Sequence, residues 1–174
     1  MQEGKYHQYW RPIIHSYLSG QSALPLYLGL DKNRFIQVIE SLDLKINLTH
    51  LETKPATLRS ELMAFRTEEY NQLHQLLSQN LDNSCKFAAE IAIVISSGCL
   101  GSQHLWYDLG LPKRAILTHL FSDYFPALSI ANVNNMRWKR FLYRQLCENG
   151  GDYLCRSPSC ETCSSYRECF EITS

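Results

Sequence analysis

Four cysteines crowd the end of this sequence, Cys155, Cys160, Cys163 and Cys169, in a C-x4-C-x2-C-x5-C spacing that spans fifteen residues. For these thiols to converge on one centre the backbone must coil around it, which neither a helix nor a strand allows. Ser157-Pro158-Ser159 falls where such a coil has to turn, and these are turn-forming residues. A single cysteine is most simply a small buried residue. Four at ligand spacing point to a metal ion or a metal cluster. The chain holds seven cysteines, an odd number that a fully paired disulfide framework does not accommodate. In a reducing compartment, clustered thiols bind metal more readily than they form disulfides. Cys85 and Cys99 sit in apolar surroundings and read as core residues. Cys147, eight residues ahead of Cys155, also reads as buried.

The remainder of the chain is patterned for helices. Tyr6, Tyr9, Trp10, Ile13, Ile14, Tyr17 and Leu18 recur at three- and four-residue intervals. Pro12 is comfortable only in a first turn, so this helix is expected to begin near Trp10 or Arg11, with His15 on its surface. Gly20 to Gly29 is a connector. Asp31 suits the N-cap of a helix over Lys32 to Leu42. Leu44, Ile46 and Leu48 alternate and suggest a short extended piece. Thr57 opens one long helix to about Asn80, with Leu58, Leu62, Phe65, Leu73, Leu76 and Leu77 inward. Arg59, Glu61, Arg66, Glu68 and Glu69 form its solvated face. Lys86 to Ser97 is apolar nearly all round and predicts a central helix, closed by Gly98 and Gly101. Pro112 begins another helix to about Phe121, with a stop near Pro126. Asn134 or Asn135 caps the last helix, Met136 to Glu148, which Asn149-Gly150-Gly151 ends. The expectation is all-α: a single domain over 1–174, with a helical body over 10–151 and an irregular cysteine-rich metal-binding tail over 152–174.

Composition removes several function classes. A chain of 174 residues with 45% hydrophobic and 20% charged content is an ordinary globular length and balance. Its formal net charge is zero, so no global field draws it to nucleic acid or to an anionic membrane. The longest apolar run, Phe87 to Ser97, is interrupted by Glu90 and is about half the length a bilayer needs. The first residues lack the basic start and apolar middle of a signal peptide. A cytoplasmic protein with neither nucleic-acid nor membrane partners is expected.

Zinc and iron–sulfur clusters both accept four thiolates. Structural zinc usually draws its ligands as two short pairs. Here one short pair, Cys160 and Cys163, has outlying cysteines on either side. The first three cysteines share the C-x4-C-x2-C run of plant-type ferredoxins, whose fourth comes from a distant segment. The spacing leans toward a compact loop around a cubane-type cluster and leaves zinc open. On the preceding helix Arg137, Arg140 and Arg144 fall at i, i+3 and i+7, one stripe, while Trp138, Phe141, Leu142 and Leu146 fall on other faces. A solvated basic face near a helix C-terminus explains the stripe simply. Contact with an anionic cluster, an oxyanion or an acidic partner explains it functionally. Basic residues interleaved with aromatics also suit nucleic acid, against which the neutral net charge weighs.

The segments His104-Leu-Trp-Tyr-Asp-Leu-Gly-Leu111, Phe125-Pro-Ala-Leu128, Asn135 to Cys147, and the tail from Cys155 to Phe170 together resemble the NifQ family. That resemblance covers roughly residues 98–170. It implies a nitrogen-fixation protein of molybdenum supply, carrying an iron–sulfur cluster that incorporates molybdenum, with molybdate as metal source. It implies delivery of the metal for assembly of nitrogenase's iron–molybdenum cofactor, through the nitrogenase iron protein and the cofactor-assembly scaffold. Cys155, Cys160, Cys163 and Cys169 match the family's cluster-binding cysteines. Arg137, Arg140, Arg144 and Arg156 are then candidates to offset cluster charge, capture molybdate or dock an acceptor. His104 is a candidate extra ligand or a capping residue, and Asp108 a helix cap or a partner for a basic side chain. Two other readings use the same cysteines: an iron–sulfur electron-transfer protein, and a zinc-stabilised interaction module. No phosphate loop, nucleophile elbow or HExxH pair is present. A carrier rather than an enzyme is therefore expected, with reductive processing of molybdate on the cluster left open.

Overall fold

A computed structural model of the chain describes residues 6–48, 51 and 54–148; the cysteine tail lies outside the described residues. These carry nine α-helices and no strand. The first is α1 (His7–Leu18), followed by a short 3-10 turn over Leu26–Gly29 and α2 (Lys32–Ser41). Next come α3 (Lys54–Ala64), α4 (Thr67–Gln79), α5 (Ala88–Cys99), the short α6 (Leu105–Asp108), α7 (Arg114–Tyr124), α8 (Pro126–Ala131) and α9 (Trp138–Glu148).

The apolar helix forecast at the centre is α5. Ile91, Ala92, Val94, Ile95 and Cys99 are buried along it, and α4, α6 and the 3-10 turn pack around it. Its first turn is held by Phe87 at φ 57°, a left-handed conformation rare for a bulky residue. Phe87 there meets Tyr6 and Trp10 edge-on, and Tyr124 donates a 2.9 Å hydrogen bond to the Lys86 carbonyl. The helix begins two residues later than expected and carries Gly98 inside it. A Cβ on Gly98 would lie 2.7 Å from a Leu109 methyl, so α5 and α6 approach as closely as they do because this residue has no side chain.

Four expectations are corrected. Helix α1 starts at His7, ahead of Trp10, and Pro12 lies within it. The cost is one missing backbone bond, against which stand fully buried Trp10, Ile13 and Ile14 and a hydrogen bond from Tyr6 to the Ser41 carbonyl. The single helix from Thr57 to Asn80 is two helices, broken around Phe65 and Arg66. Leu58, Leu62 and Phe65, expected inward, face solvent, with Phe65 88% exposed. Leu44, Ile46 and Leu48 pack against the core without forming a strand. Finally, α7 starts at Arg114 instead of Pro112; it ends at Tyr124, the stop expected near Pro126, and Pro126 then starts α8. Proline fits a first turn, where its missing N–H is not needed.

The break between α3 and α4 has a measurable consequence. Leu73→Ala on α4 removes a fully buried side chain and should cost about 2–5 kcal/mol in urea denaturation. Phe65→Ala should cost less than about 0.5 kcal/mol. A large loss from Phe65→Ala would restore the single inward-facing helix.

Candidate functional site

Helix α9 is the element from which the site is built. Trp138 fixes it: its ring stacks on Phe121 of α7 at 3.7 Å with planes 5° apart, and its indole N–H donates to Thr118 Oγ1 at 3.3 Å. Phe141, Leu142 and Leu146 are buried behind it, as the amphipathic pattern predicts. The start of the helix comes from a turn rather than from the expected cap. Asn132 Oδ1 accepts from the Met136 N–H at 2.8 Å, and its amide donates back to the Met136 carbonyl at 3.0 Å. Arg114, first residue of α7, donates to Asn135 Oδ1 at 2.9 Å and to the Met136 carbonyl at 3.2 Å. One guanidinium therefore ties the beginnings of α7 and α9 together.

A second clamp joins α9 to the segment ahead of α6. Asp108 is 2% exposed. Its carboxylate accepts from the Lys139 ammonium, in an ion pair with the lysine side chain 16% exposed, and from the Gln103 N–H at 3.0 Å. Lys139 also donates to the Gly101 carbonyl at 2.8 Å. A Cβ on Gly101 would lie 2.4 Å from that carboxylate, so a glycine is required for the pair to close. Of the two roles foreseen for Asp108 it fills that of partner to a basic side chain; the N-cap of α6 is His104, with no side-chain cap bond. A third connection was missed. Arg66 grips Glu69 through two 2.7 Å hydrogen bonds and donates to the Leu100 carbonyl at 2.6 Å, and Tyr143 of α9 donates to the same Glu69 carboxylate. Arg66 and Glu69, expected on a solvated face, join α4, the end of α5 and α9. The signal lay in Arg66 falling at a helix break, which periodicity alone smoothed over.

Between these clamps lies an open cleft of about 750 Å³. Arg114, Arg137, Lys139, Arg140 and His104 line it together with Trp106, Trp138 and Tyr143, and no carboxylate is among its lining residues. The expected stripe is thus divided. Arg137 and Arg140 enter the cleft, whereas exposed Arg144 pairs with Glu148 at 2.7 Å one turn on. The two cleft arginines sit at the N-terminal end of α9, not near its C-terminus, so the helix dipole opposes them. Arg114 also feels this crowding, its pKa held below the usual range by burial and by Arg137. His104 is exposed at the N-cap of α6, where its carbonyl, not its ring, accepts the Tyr107 and Asp108 N–H groups.

Of the other cysteines, Cys85 and Cys99 are buried as expected, and Cys147 is exposed, correcting its assignment to the core. Its place near the solvent-facing end of α9 explains this. Burial pushes the Cys99 thiol up to about 12 and raises that of Cys85, so both are inert at neutral pH. Among the described residues no group of three or more His, Cys, Asp and Glu side chains is arranged to hold a metal. Cys155, Cys160, Cys163, Cys169 and Arg156 lie outside the described residues. Among the described residues, no helix is long and apolar enough to cross a membrane.

A model of the NifQ family matches residues 10–171, nearly the whole chain and the full cysteine run. The chain belongs to the NifQ family. It is 38% identical to Protein NifQ of Azotobacter vinelandii over 170 residues, covering 94% of this chain and 87% of that one. It is also 38% identical to Protein NifQ of Klebsiella pneumoniae over 157 residues, covering 89% and 92%. A shorter match to Protein NifQ of Rhodobacter capsulatus is 42% identical over 80 residues, 46% of this chain and 44% of that one. No solved structure matches. The family places the chain among nitrogen-fixation proteins.

Two predictions follow from the clamps and the thiols. Asp108→Asn leaves the Lys139 ammonium without its partner, and should cost about 3–5 kcal/mol in denaturant unfolding. Glu148→Gln at the exposed pair should cost less than about 1 kcal/mol. Cys99 ionises near 9.0 in an unfolded chain and near about 12 when folded. Its contribution to stability is then complete below pH 9 and declines from there toward 12. In a Cys99→Ala protein the fall in stability over that interval should be shallower, as read from urea midpoints.

Proposed function

We propose that this NifQ-family chain is a molybdenum and iron–sulfur carrier that donates molybdenum for assembly of nitrogenase's iron–molybdenum cofactor. The observation that carries the reading is the C-x4-C-x2-C-x5-C run, lying inside a family match that extends to residue 171. Cys155, Cys160, Cys163 and Cys169 hold the cargo. The donor set fits it: four soft thiolates suit iron and molybdenum sulfides, and four ligands leave coordination positions at molybdenum for exchange.

In this reading the chain turns over no small substrate, takes its metal as molybdate and works in the cytoplasm. It hands molybdenum on through the nitrogenase iron protein and the cofactor-assembly scaffold. The buried, weakly acidic thiols of Cys85 and Cys99 support the division of labour, since neither offers a thiolate at neutral pH.

The ligand assignment is tested by metal content. Cys155→Ser, Cys160→Ser, Cys163→Ser and Cys169→Ser, purified anaerobically, should each lose most of their iron and molybdenum together. Cys85→Ser should keep the wild-type content and change stability alone. Full iron and molybdenum in Cys163→Ser would overturn the assignment.

A further inference from the structure

Helix α3 is apolar on two faces. Ala56 and Met63 turn one face to the body, where Ser60 Oγ accepts the Leu26 N–H at 3.1 Å. Leu58, Leu62 and Phe65 follow one another at i, i+4 and i+7, a single stripe on the far side of the helix. Leu58 and Leu62 are more than half exposed and Phe65 nearly fully so. None of the three packs against the core, so the fold of one chain gives no reason for their being apolar. A surface helix needs one apolar stripe, and a helix that is apolar on opposite faces is normally covered on both. The three side chains together expose about 400 Å² of contiguous apolar surface, the size at which such a patch marks a contact site.

We propose that this stripe is a self-association surface, on which a second copy of the chain packs its own α3 in parallel about a two-fold axis. The charges beside the stripe identify the occupant. The spacing of Leu58, Leu62 and Phe65 is that of successive d, a and d positions of a heptad, which puts Arg59 at e and Glu61 at g, one on each flank. Arg59 donates to the Leu24 carbonyl at 3.4 Å, one bond from a group with five N–H donors. Glu61 is exposed. In a parallel pair Glu61 of each copy lies on the same side of the seam as Arg59 of the other, so that two symmetry-related ion pairs border the apolar contact. An antiparallel pair would set Glu61 beside Glu61 and Arg59 beside Arg59, which is repulsive. The surface is therefore complementary to itself in one orientation. Two copies would bury about 800 Å² of apolar area, and about 1,000 Å² with the flanking residues, the lower limit for a specific contact. The pairing is accordingly reversible and set by concentration. It uses none of the residues that line the α9 cleft, and it does not depend on the carrier reading.

The test is sedimentation equilibrium of the full chain, purified anaerobically and kept reduced so that no disulfide joins two copies, with circular dichroism to confirm the fold of each variant. Across about 5 to 500 μM the wild type should pass from monomer to dimer, with a Kd of about 10–100 μM. Leu62→Glu, which places a charge in the seam, should weaken the dimer by about tenfold or more. Ile130→Glu, at an exposed apolar residue of α8, should leave it unchanged. Arg59→Glu and Glu61→Arg put like charges on both flanks and should each weaken it by about threefold. The double exchange Arg59→Glu/Glu61→Arg restores opposite charges and should return to within about twofold of the wild type, a recovery that damage to the fold would not show. A wild-type chain that stays monomeric over the whole range would overturn the pairing and assign the stripe to a segment or partner of another kind. A dimer equally strong in Leu62→Glu would overturn the surface. A double exchange weaker than both single variants would overturn the parallel arrangement.

Discussion

The ion pair between Asp108 and Lys139 is the contact on which the arrangement of this molecule turns. It joins the segment after α5 to the first turn of α9, and the same carboxylate takes the Gln103 N–H. The Asp108 carbonyl accepts from Ala23 as well, at 3.0 Å, which draws in the connector after α1. A buried pair of this kind contributes little net stability, because both ions give up water to form it. Its value lies in position: either partner alone would be an uncompensated charge, so the two segments register in only one way. That register brings His104, Arg137 and Arg140 to the lining of one cleft.

Around that pair the body is built in two chemical styles. Behind α9 the contacts are apolar and aromatic, with Trp138 stacked on Phe121 and α5 enclosed among α4 and α6. In front of it they are polar and charged: Arg114 on the turn at Asn135 and Met136, and Arg66 with Tyr143 on Glu69. The apolar side accounts for rigidity. The charged side fixes α9 against α7 and α4.

Much of this was legible in the sequence where burial follows periodicity. The apolar run at Ile91 to Ile95 forecasts the central helix, Asp31 caps α2 by accepting from the Arg34 N–H at 3.0 Å, and the buried face of α9 was read correctly. What failed was local pattern overridden by tertiary contact. Leu58, Leu62 and Phe65 match the helical period of their neighbours yet point to solvent, because Arg66 leaves the helix to reach Leu100 and Glu69. Pro12 reads as a helix start, but the buried aromatics on either side carry the helix past it. The arginine stripe was visible as spacing. Its division into two cleft residues and one exposed pair was not, since Arg114 and His104 come from other parts of the chain. The family was legible from motif alone; the four tail cysteines lie outside the described residues.

The most direct test of the carrier account is the elemental composition of wild-type protein purified anaerobically from molybdate-fed cells: iron, molybdenum, zinc and acid-labile sulfide per chain. The account predicts iron and sulfide together with molybdenum, in a coloured protein. Zinc alone, with no sulfide, would contradict it and assign the four thiolates to a structural site.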